Sequence, residues 1–226
     1  MGKYQIVINR IKANTKRETA YYVSEILSHP YSEEDGWGYS DVLRVGDSIC
    51  ATLQKRISAS YSVWNKELQQ IERQNFQIVT EVRFELDFLH GLLVAEGTNT
   101  QLNRIKQSFR QIFWNEFIYD EISMIPVDYI RILSDSRMLS SIGEITIRDF
   151  QYEGCLIGRY TAKPTHQYDI LEKVGENANN IVRAKLKINV NGEDAQLTVS
   201  NRNVMILDFS EEAKDYFVSY LKNNIK

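Results

Sequence analysis

Apolar and polar residues alternate along several stretches of the chain, as they do in strands that bury one face. The clearest stretch is residues 76–88, where one face is apolar: Phe76, Ile78, Val82, Phe84, Leu86 and Phe88. Further strands are predicted at residues 3–11, 92–97, 116–125, 144–152 and 155–162. Residues 181–190 alternate as well, and Asn191-Gly192 then predicts a tight hairpin. The pattern therefore predicts a protein rich in antiparallel strands.

A helical period replaces this alternation after residue 97. Thr98 and Gln101 have the spacing of a capping box, in which each side chain accepts from a free backbone amide at the helix start. The apolar residues that follow are spaced three and four apart, on one helix face: Leu102, Ile105, Phe109, Ile112 and Phe113. This segment is the strongest helix prediction in the chain.

Two weaker helices are predicted near the ends of the chain. Thr15 and Glu18 have capping-box spacing, and Pro30 would stop the helix that follows them. Ser210 is a typical N-cap, and the two glutamates after it favour the positive end of a helix. A short helix near residues 168–177 completes the set.

Residues 48–64 fit two structures. Ile49, Leu53, Ile57 and Tyr61 are four apart, a spacing that suits one face of a helix and also one face of a strand. The many Ser, Thr and Ile residues favour the strand. Residues 65–75 are then interpreted as a connector with at most one helical turn.

The order of elements predicts an α+β fold built from two ferredoxin-like (βαββαβ-type) units, each an antiparallel sheet with helices on one face. The first unit spans residues 1–126 and contains an aromatic and acidic loop at 30–47. Residues 127–143 are interpreted as a linker that can hold a short helix. Residues 144–226 form the second, permuted unit.

Two such units in a chain of 226 residues resemble, in predicted architecture, the repeat-associated RNA-binding superfamily that includes CRISPR RNA endonucleases. That family carries a glycine-rich loop near its C-terminus. Residues 180–226 contain a single glycine, Gly192. The resemblance therefore concerns the predicted architecture and does not extend to this motif.

Composition limits the partners and the chemistry. The chain has 27 basic and 30 acidic residues and a net charge of −3, so a nucleic-acid site would have to be a local patch. Two cysteines, Cys50 and Cys155, exclude a disulfide scaffold and lack metal-site spacing. No apolar run is long enough to span a membrane, and the N-terminus does not fit a signal peptide. We expect a cytoplasmic protein without cofactor or metal.

The predicted hairpin at residues 181–202 carries a basic face. Arg183, Lys185 and Lys187 lie on one side of the first strand, and Arg202 is expected to join them from the second. Four cations without an acid would attract phosphates, and open sheet faces bind single-stranded RNA in some folds. The plainer interpretation is a solvated sheet face without a ligand.

The strand at residues 76–88 carries an opposite, mostly acidic face formed by Glu81, Arg83, Glu85 and Asp87. Carboxylates at this spacing could hold Mg²⁺. They could equally face solvent and pair with arginines of a neighbouring strand. A third interpretation docks this acidic sheet on the basic sheet of the other unit.

The loop at 30–47 contains Tyr31, Trp37 and Tyr39 among glycines and acids. A loop of this length usually has a role, and exposed aromatic residues dominate protein–protein contacts. We therefore predict these three residues as contacts for a protein partner with a basic rim. The alternative is a compact loop packed by its own aromatic side chains.

A catalytic site has weaker candidates. His166, with Tyr168 and Lys163 nearby in sequence, could act on a phosphate as general acid or base. Familiar nucleophile, nucleotide and zinc motifs are missing from the sequence. The leading hypothesis is a non-catalytic interaction protein that binds a protein partner and nucleic acid. The alternative is a small RNA-processing or toxin-like nuclease in defence against mobile elements.

Overall fold

The computed structural model describes residues 2–15, 17–152, 156–164, 178–201 and 203–225. Within these residues the protein is a mixed α+β structure with a large antiparallel sheet and four α-helices. The predicted helix near 168–177, and the site candidates His166, Tyr168 and Arg202, lie outside the described residues.

The described residues form eleven strands and four α-helices. The strands are β1 (Gly2–Ala13), β2 (Trp37–Val45), β3 (Ser48–Asn65), β4 (Gln70–Asp87), β5 (Leu92–Glu96), β6 (Phe117–Glu121), β7 (Leu139–Tyr152), β8 (Leu156–Ala162), β9 (Ile181–Val190), β10 (Glu193–Ser200) and β11 (Val204–Phe209). The helices are α1 (Thr19–Leu27), α2 (Asn99–Phe113), α3 (Pro126–Asp135) and α4 (Glu211–Asn224).

The sheet order is β2-β3-β4-β5-β1-β11-β10-β9-β7-β8, and β6 also pairs with β1. Strand β1 joins the strands of the two halves. Its residues 2–7 pair with β11, its residues 6–10 pair with β5 and its residues 9–13 pair with β6. The first strand of the chain is therefore central in the sheet.

Helices cover both faces of the sheet around this central strand. Ile6 and Ile8 belong to a core that includes α3 and α4. Val7 and Ile11 point the other way and belong to a core that includes α1 and α2. The run Ile6-Val7-Ile8 is apolar because β1 is buried on both faces.

Several local predictions are confirmed. Residues 48–64 lie in strand β3. Thr98 and Gln101 form the predicted capping box, and the apolar stripe of α2 is buried. Asn191 and Gly192 both have positive φ, 52° and 85°, as a type I′ hairpin turn requires. Ser210 caps α4 by accepting from the amide of Ala213.

The capping box predicted at Thr15 and Glu18 is wrong. Helix α1 begins at Thr19, and its N-cap, Glu18, makes no side-chain capping bond. The amide of Thr15 donates to Glu116 Oε1 over 3.1 Å, and the Thr15 hydroxyl bonds the same atom. The capping hydroxyl is thus used by a residue distant in sequence.

Three loop predictions change as well. The connector at 65–75 is shorter than predicted because β4 already begins at Gln70. The loop at 30–47 ends early because β2 begins at Trp37. Residues 126–135 form α3, the short helix that the linker interpretation allowed, and β7 starts at Leu139. The domain boundaries themselves stay a prediction.

Strands β3 and β4 continue well beyond their neighbours. Residues 57–78, which we call the hairpin arm, pair only with each other in the ladder, and each of their side chains is exposed or partly exposed. One face of the arm is largely apolar and continues the core face of β3 and β4: Ile57, Ala59, Tyr61, Val63, Phe76 and Ile78. The Tyr61 and Phe76 rings contact each other there at 5.6 Å between centroids.

Candidate nucleic-acid interface

The basic face predicted on β9 exists. Ala184, Leu186 and Ile188 are buried in the core beneath α3 and α4, so the alternating residues Arg183, Lys185 and Lys187 lie on the opposite face. Arg183 and Lys187 are exposed, and Lys185 is partly buried. The polar residues of β10 share this face, because Thr198 is opposite Lys185 and Ser200 is opposite Arg183.

Strand β7 adds an acid that the sequence pattern did not predict. Glu144 is opposite Lys185 in the ladder, and Lys185 Nζ lies 3.1 Å from Glu144 Oε1. The expectation of a face without acids is therefore wrong. The error arose because the sequence does not say that β7 becomes the neighbour of β9.

Two further arginines, Arg148 on β7 and Arg159 on β8, join this face. Together with Arg183 they line a concavity of about 610 Å³. Its other described lining residues are Glu144, Thr146, Thr161, Val182, Ser200 and Asn201. None of these side chains is aromatic. We call this feature the basic concavity.

The cations of the basic concavity differ in their pairing. Arg148 Nε lies 3.5 Å from Asp149 Oδ2, and both side chains are more than half exposed. Such an exposed pair is weak and can open for a ligand. The Arg159 and Arg183 side chains make no hydrogen bond and no ion pair with any described residue. Two guanidinium groups are therefore available for an anion.

The acidic face of β4 is paired inside the protein. Lys222 of α4 donates to Glu85 Oε1 over 2.7 Å and contacts Asp87 Oδ2 at 3.1 Å. Asp87 also accepts from the His90 amide over 3.0 Å and lies 2.9 Å from His90 Nδ1. The interpretation in which the acidic face docks on the basic hairpin is wrong, because Lys222 of α4 pairs with Glu85 and Asp87. Glu81 is exposed and accepts from Gln54 Nε2 over 2.8 Å.

These contacts shift the pKa values of Asp87 and Lys222. Burial alone would raise the pKa of Asp87, but the hydrogen bonds from His90 and Lys222 lower it below its ordinary value. Burial alone would lower the pKa of Lys222, but its bonds to Glu85 and Asp87 raise it.

No group of three or more His, Cys, Asp or Glu in the described residues could hold a metal ion.

The three aromatic residues predicted to contact a protein partner, Tyr31, Trp37 and Tyr39, are at most partly exposed. Tyr39 is 3% exposed, and its hydroxyl donates to Ser108 Oγ over 2.8 Å in the core. It therefore cannot be a surface contact in this conformation. Tyr39 lies in strand β2 and packs in the core against α2, which differs from the predicted alternative of a compact loop packed by its own aromatic side chains. Trp37 is partly buried, with its ring nearly parallel to that of His29 at 6.1 Å. Tyr31 is also partly exposed.

The predicted catalytic group cannot be assembled from the described residues. Lys163 is exposed, whereas His166 and Tyr168 lie outside them. His90 was not singled out as a site residue, yet it contacts both Asp87 and Asn223 Oδ1, the latter at 3.2 Å. Arg148 and Arg159 were also missed, because no pattern in the sequence places β7 and β8 beside β9.

Comparisons with known proteins add no family. No helix in the described residues is both long enough and apolar enough to cross a membrane. No known family matches the sequence, and no curated protein matches it either.

Proposed function

We propose that this chain is a non-catalytic interaction protein that binds single-stranded nucleic acid at the basic concavity. The main supporting observation is that Arg159 and Arg183 line one concavity and lack partners among the described residues. Guanidinium groups bind phosphate oxygens through two parallel hydrogen bonds. The net charge of −3 makes this a local attraction, distinct from general basicity.

The geometry favours a single strand over a duplex. The basic concavity lies on the sheet face opposite α3 and α4, and open sheet faces bind single-stranded RNA in some folds. Because none of its described lining side chains is aromatic, binding would depend on phosphate contacts and polar groups, with little stacking. Such binding weakens strongly as salt rises.

The ferredoxin-like architecture belongs to this proposal. In the N-terminal half, β1 lies between β5 and β6, and β4 pairs with the other edge of β5. Helix α1 follows β1, and α2 connects β5 to β6, which supports a βαββαβ unit with two added strands. For the C-terminal half the support is limited to an antiparallel sheet with two helices on one face.

The other predictions made from the sequence stay predictions. Tyr31 and Trp37 remain predicted contacts for a protein partner, whereas Tyr39 is buried. The cytoplasmic location stays a prediction. The nuclease alternative gains no favourable observation from the described residues, since Lys163 is the only one of its three candidates among them.

The test is fluorescence anisotropy with a labelled single-stranded RNA, titrated at several salt concentrations. We expect Arg159→Ala and Arg183→Ala each to weaken binding by on the order of tenfold and to lower the salt slope by about one. Lys66→Ala is the matched control, because Lys66 is an exposed cation at the tip of the hairpin arm. Its affinity should stay close to that of the wild type.

Two results would refute the proposal. One is the absence of RNA binding at low salt. The other is equal weakening by Arg183→Ala and Lys66→Ala, since that would mean a diffuse electrostatic attraction without a site.

A further inference from the structure

A second cavity lies beside the basic concavity. It has a volume of about 410 Å³ and is lined by residues of α2, the β1–β6 pair and the turn between β10 and β11. Five asparagines line it: Asn9, Asn99, Asn103, Asn201 and Asn203. We call it the amide cavity. Its volume is within the range of small-molecule sites.

Two of these amides are buried and held in one orientation. Asn203 is 7% exposed, and its Nδ2 donates to the Ile122 carbonyl over 2.5 Å. Asn9 is 5% exposed, and its Nδ2 donates to the Asp120 carbonyl over 3.0 Å. Each of these two amide nitrogens uses one N–H in these bonds, so each amide keeps a second N–H donor and its oxygen acceptor for a ligand.

The oxygen of Asn203 has no hydrogen-bond partner within the described part of the chain. Buried polar atoms are rarely left in this state, because losing water without gaining a partner costs free energy. Glu121 also lines the amide cavity and adds carboxylate acceptors. The amide cavity is thus equipped to receive a ligand that donates hydrogen bonds.

Nucleic-acid bases differ in this respect. Adenine and cytosine carry an exocyclic amine that donates, whereas the corresponding group of uracil is a carbonyl that accepts. Asparagine pairs with adenine through two hydrogen bonds, and carboxylates accept from the cytosine amine. The asparagine amides, which can pair with adenine, and the Glu121 carboxylate, which can accept from the cytosine amine, therefore favour the two amino bases over uracil.

The two cavities are joined at Asn201, which lines both. We infer that the amide cavity holds an adenine or cytosine base of a strand whose phosphates lie on Arg159 and Arg183. The inference rests on the proposed function and adds base recognition to it. Lys106, partly buried at the wall of the amide cavity, supplies a cation for an adjoining phosphate.

The experiment compares three labelled twelve-nucleotide RNAs, oligoadenylate, oligocytidylate and oligouridylate, by anisotropy at one salt concentration. We expect oligoadenylate or oligocytidylate to bind roughly three- to tenfold more tightly than oligouridylate, as one or two hydrogen bonds would give. Equal affinities for all three, with a clear salt slope, would overturn the inference and leave the proposed function standing.

Three variants test which residues cause the preference for adenine or cytosine over uracil. Asn103→Ala, at an exposed position of α2, should reduce the base preference and leave the salt slope unchanged. Asn203→Gly keeps the positive φ of 53° and removes the buried acceptor. Its base preference should disappear. Asn75→Ala, on the exposed hairpin arm, is the control and should behave like the wild type.

Asn203→Gly also loses the bond to Ile122, so its fold is checked by thermal unfolding. If Asn203→Gly does not fold, Asn103→Ala serves as the test of the amide cavity. An unchanged base preference in Asn103→Ala would then refute the inference.

Competition with adenosine monophosphate identifies the source of the base. Displacement of oligoadenylate only at far higher concentration supports a base within a strand. Binding of the mononucleotide without binding of any RNA would retain the base site, assign it to a free nucleotide and refute the proposed function.

Discussion

At the scale of single residues, the most informative group is the buried charge network between β4 and α4. Asp87 is 2% exposed, yet it is surrounded by Lys222 and His90. Lys214 nearby is 3% exposed and bonds Glu96 over 2.5 Å. Removing one member of such a group leaves an uncompensated buried charge, which costs more than the intact pair contributes.

Replacement of Lys222 by methionine tests this network. We expect Lys222→Met to lower the free energy of unfolding by about 3 kcal/mol, because Asp87 and Glu85 lose their ammonium partner. Urea denaturation measures the change. Lys12→Met, at an exposed lysine of β1, should change the stability by less than about 0.5 kcal/mol. Equal effects of the two substitutions would mean that the network contributes little.

The lowered pKa of Asp87 predicts a pH dependence of stability. A carboxyl whose pKa is lowered in the folded state stabilises the protein fully above its ordinary pKa of 3.8. That contribution is lost as the pH falls through the lowered value. Between pH 6 and pH 3 the wild type should therefore lose more stability than Asp87→Asn. Parallel losses of thermal stability in the two proteins would contradict this assignment.

At the scale of elements, the hairpin arm differs from the rest of the sheet. Beyond residue 56 its two strands have no third strand beside them, and a two-stranded ribbon alone is marginally stable in water. Its nine residues per strand from 57 to 65 extend roughly 30 Å at the usual rise. The arm should therefore open without unfolding of the protein.

Native-state hydrogen exchange tests this difference. Amides of residues 57–64 and 71–78 should exchange through local opening and be protected far less than those of residues 48–54 and 81–87 of the same strands. Residues 181–190 of β9, in the interior of the sheet, are the protected reference. Equal protection along β3 and β4 would show that the hairpin arm packs against another surface in solution, and the apolar face of the arm would then form that contact.

At the scale of the whole molecule, β1 couples the two halves of the sheet. It contributes Ile6 and Ile8 to one core and Val7 and Ile11 to the other. It also forms ladders with β5 and with β11. Unfolding of either half would therefore expose part of the core of the other half.

We accordingly expect one cooperative unfolding transition. All three tryptophans, Trp37, Trp64 and Trp114, lie in the N-terminal half. Trp64 lies on the hairpin arm, so the Trp64→Phe variant is used, and its fluorescence then reports on the remainder of that half, while far-ultraviolet circular dichroism reports on both halves. The urea curves from the two signals should coincide. Separate midpoints would show that the halves unfold independently and would favour the two-domain division predicted from the sequence.

Features that depend on neighbouring residues could be predicted from the sequence. The capping box at Thr98, the turn at Asn191-Gly192 and the buried stripe of α2 each involve residues within a few positions of one another. The failed capping box at Thr15 had the same local pattern. It failed because the Thr15 hydroxyl bonds Glu116, 101 residues away in the sequence.

The candidate site was predicted only in part, for the same physical reason. The alternation in β9 placed Arg183, Lys185 and Lys187 on one face, because side chains of a strand point to alternate sides. The neighbours of that face depend on strand order, which brought Glu144, Arg148 and Arg159 to it. Tyr39 was predicted on the surface because its segment is polar, but strand pairing turned it into the core.

Most of the strands, the helix stripes and the tight turn could be predicted from residues close together in the chain, because alternation, helical period and turn chemistry act over short distances. Which charges meet depends on contacts between distant parts of the chain. The pairing of Glu85 with Lys222 spans 137 residues, and the basic concavity exists because β7 and β8 extend the sheet beyond β9. Such contacts follow from strand order and helix docking, which result from the packing of the two cores around β1.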